Sequence, residues 1–374
     1  MASITNSTNL ITIINAFPAF GEYKGYRPIV EGHINDTFIV EYGTAEGGTL
    51  RCLLQRINTN VFKKPVELME NIVGVTAFLR NKIKENGGDP NRETLTVYPT
   101  KTGRKFFVDE DGSCWRLYNY VEDTYTVNEI SGTADFKAAG EAFGGFQNLL
   151  ADYPIDTLFE TIPHFHDTPS RFADFEAAVA ANVSGRAHNA QPEIEFCRAR
   201  KADCSVVTDL IARGEIPIRV THNDTKLNNV LFDNATRKAL CVVDLDTVMP
   251  GSALYDFGDS IRFGANTAAE DEKDLTKVSL SLDYFRAFVE GYLAAAGKSL
   301  TEKEIDLLPF SGKLLTLECG MRFLGDYLNG DTYFKIDYPD HNLVRARTQF
   351  KLVEDMEKKM DDMNAVVDEV RKTL

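Results

Sequence analysis

Residues 219–246 read RVTHNDTKLNNVLFDNATRKALCVVDLD. His222 and Asp224 stand two apart, and Asn229 follows five positions after the aspartate. A polar turn at 233–238 then leads into the apolar run ALCVV, which ends at Asp244. A short apolar run bounded by turn residues reads as a buried strand, so Asp244 sits where such a strand delivers it. Asp246 lies two residues further on; on extended backbone the two carboxylates face one side.

Working outward, 37–57 carries two apolar stretches, TFIVEY and LRCLLQRI, around a Gly-rich connection at 43–48, the pattern of a β-hairpin. A helix follows over 65–85, stopped by Gly87-Gly88. Strand-like segments come next at 95–98, 105–109 and 114–120. Beyond 122–123 the pattern turns helical, at 136–150, 171–182, 194–213, 284–295 and 307–328, interrupted by strands within 218–245. The expected fold is α+β: a small antiparallel sheet with one helix over 1–120, then a larger, mainly helical lobe over 121–374 that holds 219–246.

Lys and Arg number 41 against 56 Asp and Glu, a net charge of −15. That surface repels phosphate backbones and anionic lipid, so neither nucleic acid nor a membrane is expected as a partner. Six cysteines without a C-x-x-C pair read as reduced thiols. With no basic-then-apolar leader at the N-terminus, the cytoplasm is the default location. Near the C-terminus, Val353, Met356, Met360, Met363, Val367, Val370 and Leu374 form a stripe at helical spacing. It fits packing on its own domain, or a self-association seam.

The chemistry that uses such parts is phosphoryl transfer. It needs one carboxylate to take the proton of an attacking hydroxyl, and hard oxygen ligands to hold Mg²⁺ against nucleotide phosphates. Asp224 suits the first role; Asn229 and Asp244 suit the second. A competing motif, Asp256-Phe257-Gly258, spells the metal tripeptide of protein kinases, but its context PGSALYDFGDSIRFG is a helix start, not a strand end.

The stretch resembles the catalytic core of the aminoglycoside phosphotransferase and choline kinase superfamily, two-lobed relatives of protein kinases. A closer similarity, to the N-acetylhexosamine 1-kinases, runs through EGHINDTF, LLQRIN, WRLYNYVED, HFHDTPSRF, RVTHNDTKLNN, VVDLDTVMPGSALYDFGDSIRFG, LLPFSGKLLTLECGMRFL and HNLVRARTQFKLV. The resemblance implies ATP as phosphate donor, Mg²⁺ as cofactor and a small-molecule sugar as acceptor. It implies Asp224 as catalytic base, Lys226 near the γ-phosphate, and Asn229 and Asp244 as metal ligands. His222 and Asp256 are then supporting residues, with Asp256 bracing the catalytic loop from a helix. Asp246 is left open between a second ion, a substrate hydroxyl and holding the loop.

On the nucleotide side, Gly32, His33, Asn35 and Thr37 lie in a segment resembling the phosphate-covering loop, where small residues let backbone N–H groups approach phosphate oxygens. Where kinases carry a phosphate-pairing lysine, LLQRIN offers Gln55 or Arg56, and strand alternation points only one of them inward; Arg56 is the charged choice. Tyr120 and Val121 fall at the adenine-binding join. In 318–334, ECGMRFLGDYLNGDTYF, aromatics mix with Arg322, Asp326 and Asp331. Aromatic faces and forked donors suit a sugar, and matching to the acetylhexosamine kinases selects Arg322 and Tyr333. The H-x-H of His164 and His166 carries too few ligands for zinc. The competing expectations are the same chemistry on choline, homoserine or an aminoglycoside, and a non-catalytic sugar- or nucleotide-binding module.

Overall fold

The computed structural model describes residues 7–29, 34–127 and 130–373, with side chains from residue 10 onward. Its strands are β1 (Glu22–Ile29), β2 (Asp36–Gly43), β3 (Thr49–Ile57), β4 (Val97–Tyr98), β5 (Phe107–Val108), β6 (Cys114–Asn119), β7 (Thr124–Tyr125), β8 (Arg219–Thr221), β9 (Val230–Asp233), β10 (Ala239–Val242) and β11 (Met249–Gly251). The helices are α1 (Ser7–Asn15), α2 (Pro65–Glu85), α3 (Thr133–Leu149), α4 (Thr168–Ala181), α5 (Gln191–Ala199), α6 (Val206–Ala212), α7 (Ala253–Gly264), α8 (Leu282–Ala296), α9 (Glu302–Asp306), α10 (Leu308–Leu328), α11 (His341–Lys358) and α12 (Met360–Arg371). The fold is thus α+β, antiparallel sheet first and mainly helical afterwards.

Two compact units divide the chain. The first takes residues up to 125 together with 152–162 and 232–248; the second takes 126–151, 163–231 and 249–374. Asp244 therefore belongs to the first unit, and Asp224 and Asn229 to the second.

In the first unit the sheet runs β1-β2-β3-β6-β4, with β5 also on β6. The expected hairpin is β2–β3, in register from Asp36↔Arg56 to Gly43↔Thr49. On one face Leu10, Ile13, Ile14 and Phe17 pack over Val40, Tyr42, Cys52, Leu54, Trp115 and Leu117. Both α1 and β1 add to the expected pattern. β1 (EYKGYRPI) is interrupted by Gly25 and Pro28, and its side chains are largely exposed. Only an edge strand tolerates such a sequence, because it needs neither an inward apolar row nor every N–H.

In the second unit α3 and α8 cross at glycines. A Cβ on Gly291 would lie 2.1 Å from the Lys137 carbonyl oxygen, and one on Gly140 2.5 Å from that of Phe288. Backbone therefore meets backbone, which seats α3 where its Gln147 donates to the Val220 carbonyl at 2.8 Å. A separate core joins Phe172 and Phe175 of α4, Leu317, Met321, Leu324 and Tyr327 of α10, and Leu343, Phe350 and Val353 of α11.

One helical expectation is corrected. The single helix expected over 194–213 is α5 and α6 separated by a 3₁₀ segment, Lys201–Ser205. Cys197 and Cys204, seven residues apart and so nearly in phase on a continuous helix, are both buried, the first in α5 and the second in the 3₁₀ segment. Along the C-terminal stripe the helix breaks at Lys359, and Val353, Met356, Met363, Val367 and Val370 are buried, as packing on its own domain requires. Leu374 lies outside the described residues. Cys52, Cys114, Cys197, Cys204, Cys241 and Cys319 are all free thiols. Among the described residues no helix is long and apolar enough to cross a membrane.

Gly291→Ala pushes α8 off α3 and lowers unfolding stability by about 1–3 kcal/mol, the usual range for an overpacked contact. Urea denaturation checks this, and an unchanged midpoint would contradict the backbone approach.

Candidate active site

The short strand β8 pairs antiparallel with β11 and ends at Thr221, so the chain turns immediately before His222. His222 is fully buried, its ring edge-on to Phe143 and Phe146 at 5.7 and 5.9 Å. Asn223 has φ 66°, the left-handed region that asparagine tolerates better than most residues. That turn brings Asp224 out of the core with its carboxylate partly exposed.

Asp256 of α7 holds the turn. One of its carboxylate oxygens accepts the Asn223 backbone N–H at 2.7 Å, the other the His222 N–H at 2.9 Å and the Gln147 side-chain amide at 2.9 Å. Burial pushes the Asp256 carboxyl up from its ordinary value, while His222 and the three donors pull the other way. Further staples run to the same helix. Thr225 donates its hydroxyl to the Asp256 carbonyl at 2.6 Å and its N–H to Asp259 at 3.2 Å, and Ser260 donates to the Thr225 carbonyl at 3.1 Å.

Asp224 then sits between two donors. Its Oδ1 faces Lys226 Nζ at 2.9 Å, and its Oδ2 faces Asn229 Nδ2 at 3.3 Å. Burial works against the Lys226 charge, but Asp224 more than offsets it and holds the ammonium above its usual range. Asn229 also donates Nδ2 to the Asp224 carbonyl at 2.8 Å. Fixing the amide nitrogen aims the carboxamide oxygen the other way, as a metal ligand requires.

Behind this loop lies a pair that the sequence reading passed over. His166 Nδ1 meets Glu318 Oε1 at 2.7 Å, its Nε2 lies 3.3 Å from the Asn223 carbonyl, and Thr168 donates to Glu318 at 2.6 Å. Burial raises the Glu318 carboxyl, yet His166, Thr168 and Arg322 outweigh it and hold it below the ordinary glutamate range. The H-x-H is therefore half scaffold: His166 is committed to Glu318 and the Asn223 carbonyl.

On the same unit Arg322 lies among three rings, 5.8 Å from Phe165, 5.9 Å from Tyr333 and 5.5 Å from Phe334. Tyr333 is 69% exposed. Asp326 shapes the loop that presents it, accepting the N–H groups of Thr332, Tyr333 and Phe334 at 2.8–2.9 Å and the Asn342 amide at 2.9 Å. Asp331 is tied to Arg186 at 2.7 Å.

In the first unit, Asp244 stands at φ 59°, just before the 3₁₀ turn Leu245–Thr247. Asp246 is buried: its Oδ1 accepts from Arg116 and its Oδ2 from Asn35 at 2.6 Å. Gln55 and Arg56 point to opposite faces of β3. Arg56 pairs with Asp36 at the surface and lies over the Trp115 ring, so the charged choice faces away from Asp246. Gln55 accepts from Arg116 and donates to Thr37. Of the other nucleotide-side residues, Gly32 and His33 lie outside the described residues. Tyr120 N–H donates to the Arg51 carbonyl at 3.3 Å, and the Val121 carbonyl accepts from Thr124. Glu70 of α2 pairs with Lys105 and Glu67 with Lys64; neither meets a β3 cation.

Residues 25–303 match the phosphotransferase enzyme family, and the chain belongs to it. Among solved structures it is similar to the GDP complex of aminoglycoside 2′-phosphotransferase-IIIa, at TM-score 0.59 and 13% identity over 95% of this chain and 100% of that one. It is also similar to choline kinase from Cryptosporidium parvum, at 0.54 and 15% over 96% and 97%. A third is amicoumacin kinase in complex with AMP-PNP, Ca²⁺ and amicoumacin, at 0.55 and 11% over 95% and 94%.

Asp256→Ala strips the acceptor from three buried donors and lowers stability by about 3 kcal/mol, since an unmet buried donor costs roughly 1–3 kcal/mol. A wild-type urea midpoint would contradict its bracing role.

Proposed function

We propose that this protein transfers the γ-phosphoryl group of ATP to the anomeric C1 hydroxyl of an N-acetylhexosamine, giving the sugar 1-phosphate. The carrying observation is Asp224 itself: a partly exposed carboxylate between Lys226 and Asn229, on a turn pinned to α7. Asp224 takes the proton as the C1 oxygen bonds to the γ-phosphorus and the bond to the β–γ bridging oxygen breaks, releasing ADP. Such catalysis rests on positioning and charge, with no covalent enzyme intermediate.

The donor atoms fit magnesium, a hard cation that takes oxygen ligands: the Asp244 carboxylate and the Asn229 carboxamide oxygen would hold it. Bound there, the ion neutralises charge on the phosphates. That a structural neighbour carries AMP-PNP with Ca²⁺ supports the same pairing of nucleotide and divalent ion.

The acceptor follows from the segments similar to N-acetylhexosamine 1-kinases and from the Arg322 cluster. A guanidinium ringed by Phe165, Tyr333 and Phe334 offers forked donors for hydroxyls and aromatic faces for C–H surfaces. With ATP and Mg²⁺, ADP release should require N-acetylglucosamine or N-acetylgalactosamine and stay at background with choline, homoserine or kanamycin; the reverse order would reject the sugar. Asp224→Asn should fold normally and lose about 10²–10⁴-fold in kcat, the range for removing a general base; near-normal turnover would reject its role. Arg322→Ala should raise KM for the sugar more than KM for ATP, and the opposite pattern would move the acceptor site elsewhere.

A further inference from the structure

Kinases place a cation on the strand where this chain carries Gln55, and the neighbouring strand supplies one instead. Gln55 pairs in register with Arg116 of β6, so both side chains leave the same face of the sheet. Arg116 is fully buried. Its Nε and Nη2 donate to Gln55 Oε1 at 3.1 and 2.9 Å, and its Nη1 donates to Asp246 Oδ1. Gln55 is itself fixed by Thr37 at 3.0 Å, so the fork is held from behind. The guanidinium lies 5.1 Å from the Tyr118 ring, and burial pushes that phenol up, so it stays neutral beside the cation.

The target of this charge is one short loop. Asp246 takes Arg116 on one oxygen and Asn35 on the other. Two residues on, the Val248 carbonyl accepts Asn71 of α2 at 3.0 Å, and Asn71 also binds the Phe159 backbone. Asp244 opens this loop in a left-handed conformation that costs a non-glycine residue energy and persists only where the surroundings impose it. Each of the three guanidinium nitrogens of Arg116 thus donates to Gln55 or Asp246.

We propose that Arg116 is a positioning residue for the metal: through Asp246 it fixes the 244–247 loop so that the Asp244 carboxylate is set to ligate magnesium. This rests on the reading of Asp244 as a metal ligand. A partner behind a ligand raises metal affinity by orienting it, and its loss costs about 10- to 100-fold.

The test is calorimetric binding of AMP-PNP to the full chain across a Mg²⁺ titration, with thermal melts alongside. In the wild type, binding should tighten with Mg²⁺, and Asp244→Ala should abolish that dependence. Arg116→Met should raise the Mg²⁺ midpoint about 10- to 100-fold while Mg²⁺-free nucleotide affinity is unchanged. Arg116→Met/Asp246→Asn removes the orphaned buried carboxylate, so it should recover the melting temperature but keep the raised midpoint. Arg116→Lys, which keeps the charge without the fork on Gln55, should shift the midpoint in the same direction by less. A wild-type midpoint in the single or double variant overturns the proposal. If Asp244→Ala keeps full Mg²⁺ dependence, the reading of Asp244 itself falls, and the inference with it.

Discussion

Two consecutive backbone N–H groups, of His222 and Asn223, point into the buried carboxylate of Asp256. That interaction fixes the direction in which the chain leaves β8, and with it everything Asp224 can do. A buried carboxylate is costly alone but stable when its lone pairs are filled by donors, and Gln147 of α3 supplies the third. The anchor cannot drift, because α7 is wedged in place: a Cβ on Gly258 would lie 2.4 Å from the Ser311 carbonyl oxygen. Packing of α3, α7 and α10 is thereby converted into the orientation of one partly exposed carboxylate.

Each unit holds one short loop in the same way. In the second, Asp256 and the His166–Glu318 pair stand behind 222–225. In the first, Arg116, Asn35 and Asn71 stand behind 244–248. In both, a non-glycine residue of the loop adopts positive φ, Asn223 in one and Asp244 in the other. Strain at a working position needs a dense hydrogen-bonded surround to hold it, and buried charged side chains provide the strongest such bonds.

Much of this was legible in the sequence where the pattern is local. The β2–β3 hairpin and α2 follow from alternation, Gly punctuation and a Pro start, and the α+β class follows from their order. β1, broken by Gly25 and Pro28, escaped because edge strands lack an inward apolar row, and the break between α5 and α6 escaped because Cys197 and Cys204 look compatible with one helix. At the site, spacing singled out Asp224, Asn229 and Asp244. Arg116 was invisible: it lies 130 residues from Asp246, and only the β3–β6 register brings it across from Gln55. By the same register Arg56, the more obvious cation, turns to the surface and pairs with Asp36. Gln147 and Glu318 were hidden for a like reason, since a polar residue inside an amphipathic helix looks like a solvated one until its partner is known.

We propose that the carboxylate held in this way activates the anomeric hydroxyl of an amino sugar. The most direct measurement of this is phosphorus-31 NMR of the product formed from ATP, Mg²⁺ and N-acetylglucosamine or N-acetylgalactosamine. The claim predicts a sugar phosphate whose phosphorus couples to the anomeric proton, H1. A phosphate coupled to any other ring or side-chain proton, or no sugar phosphate from either substrate, would contradict it.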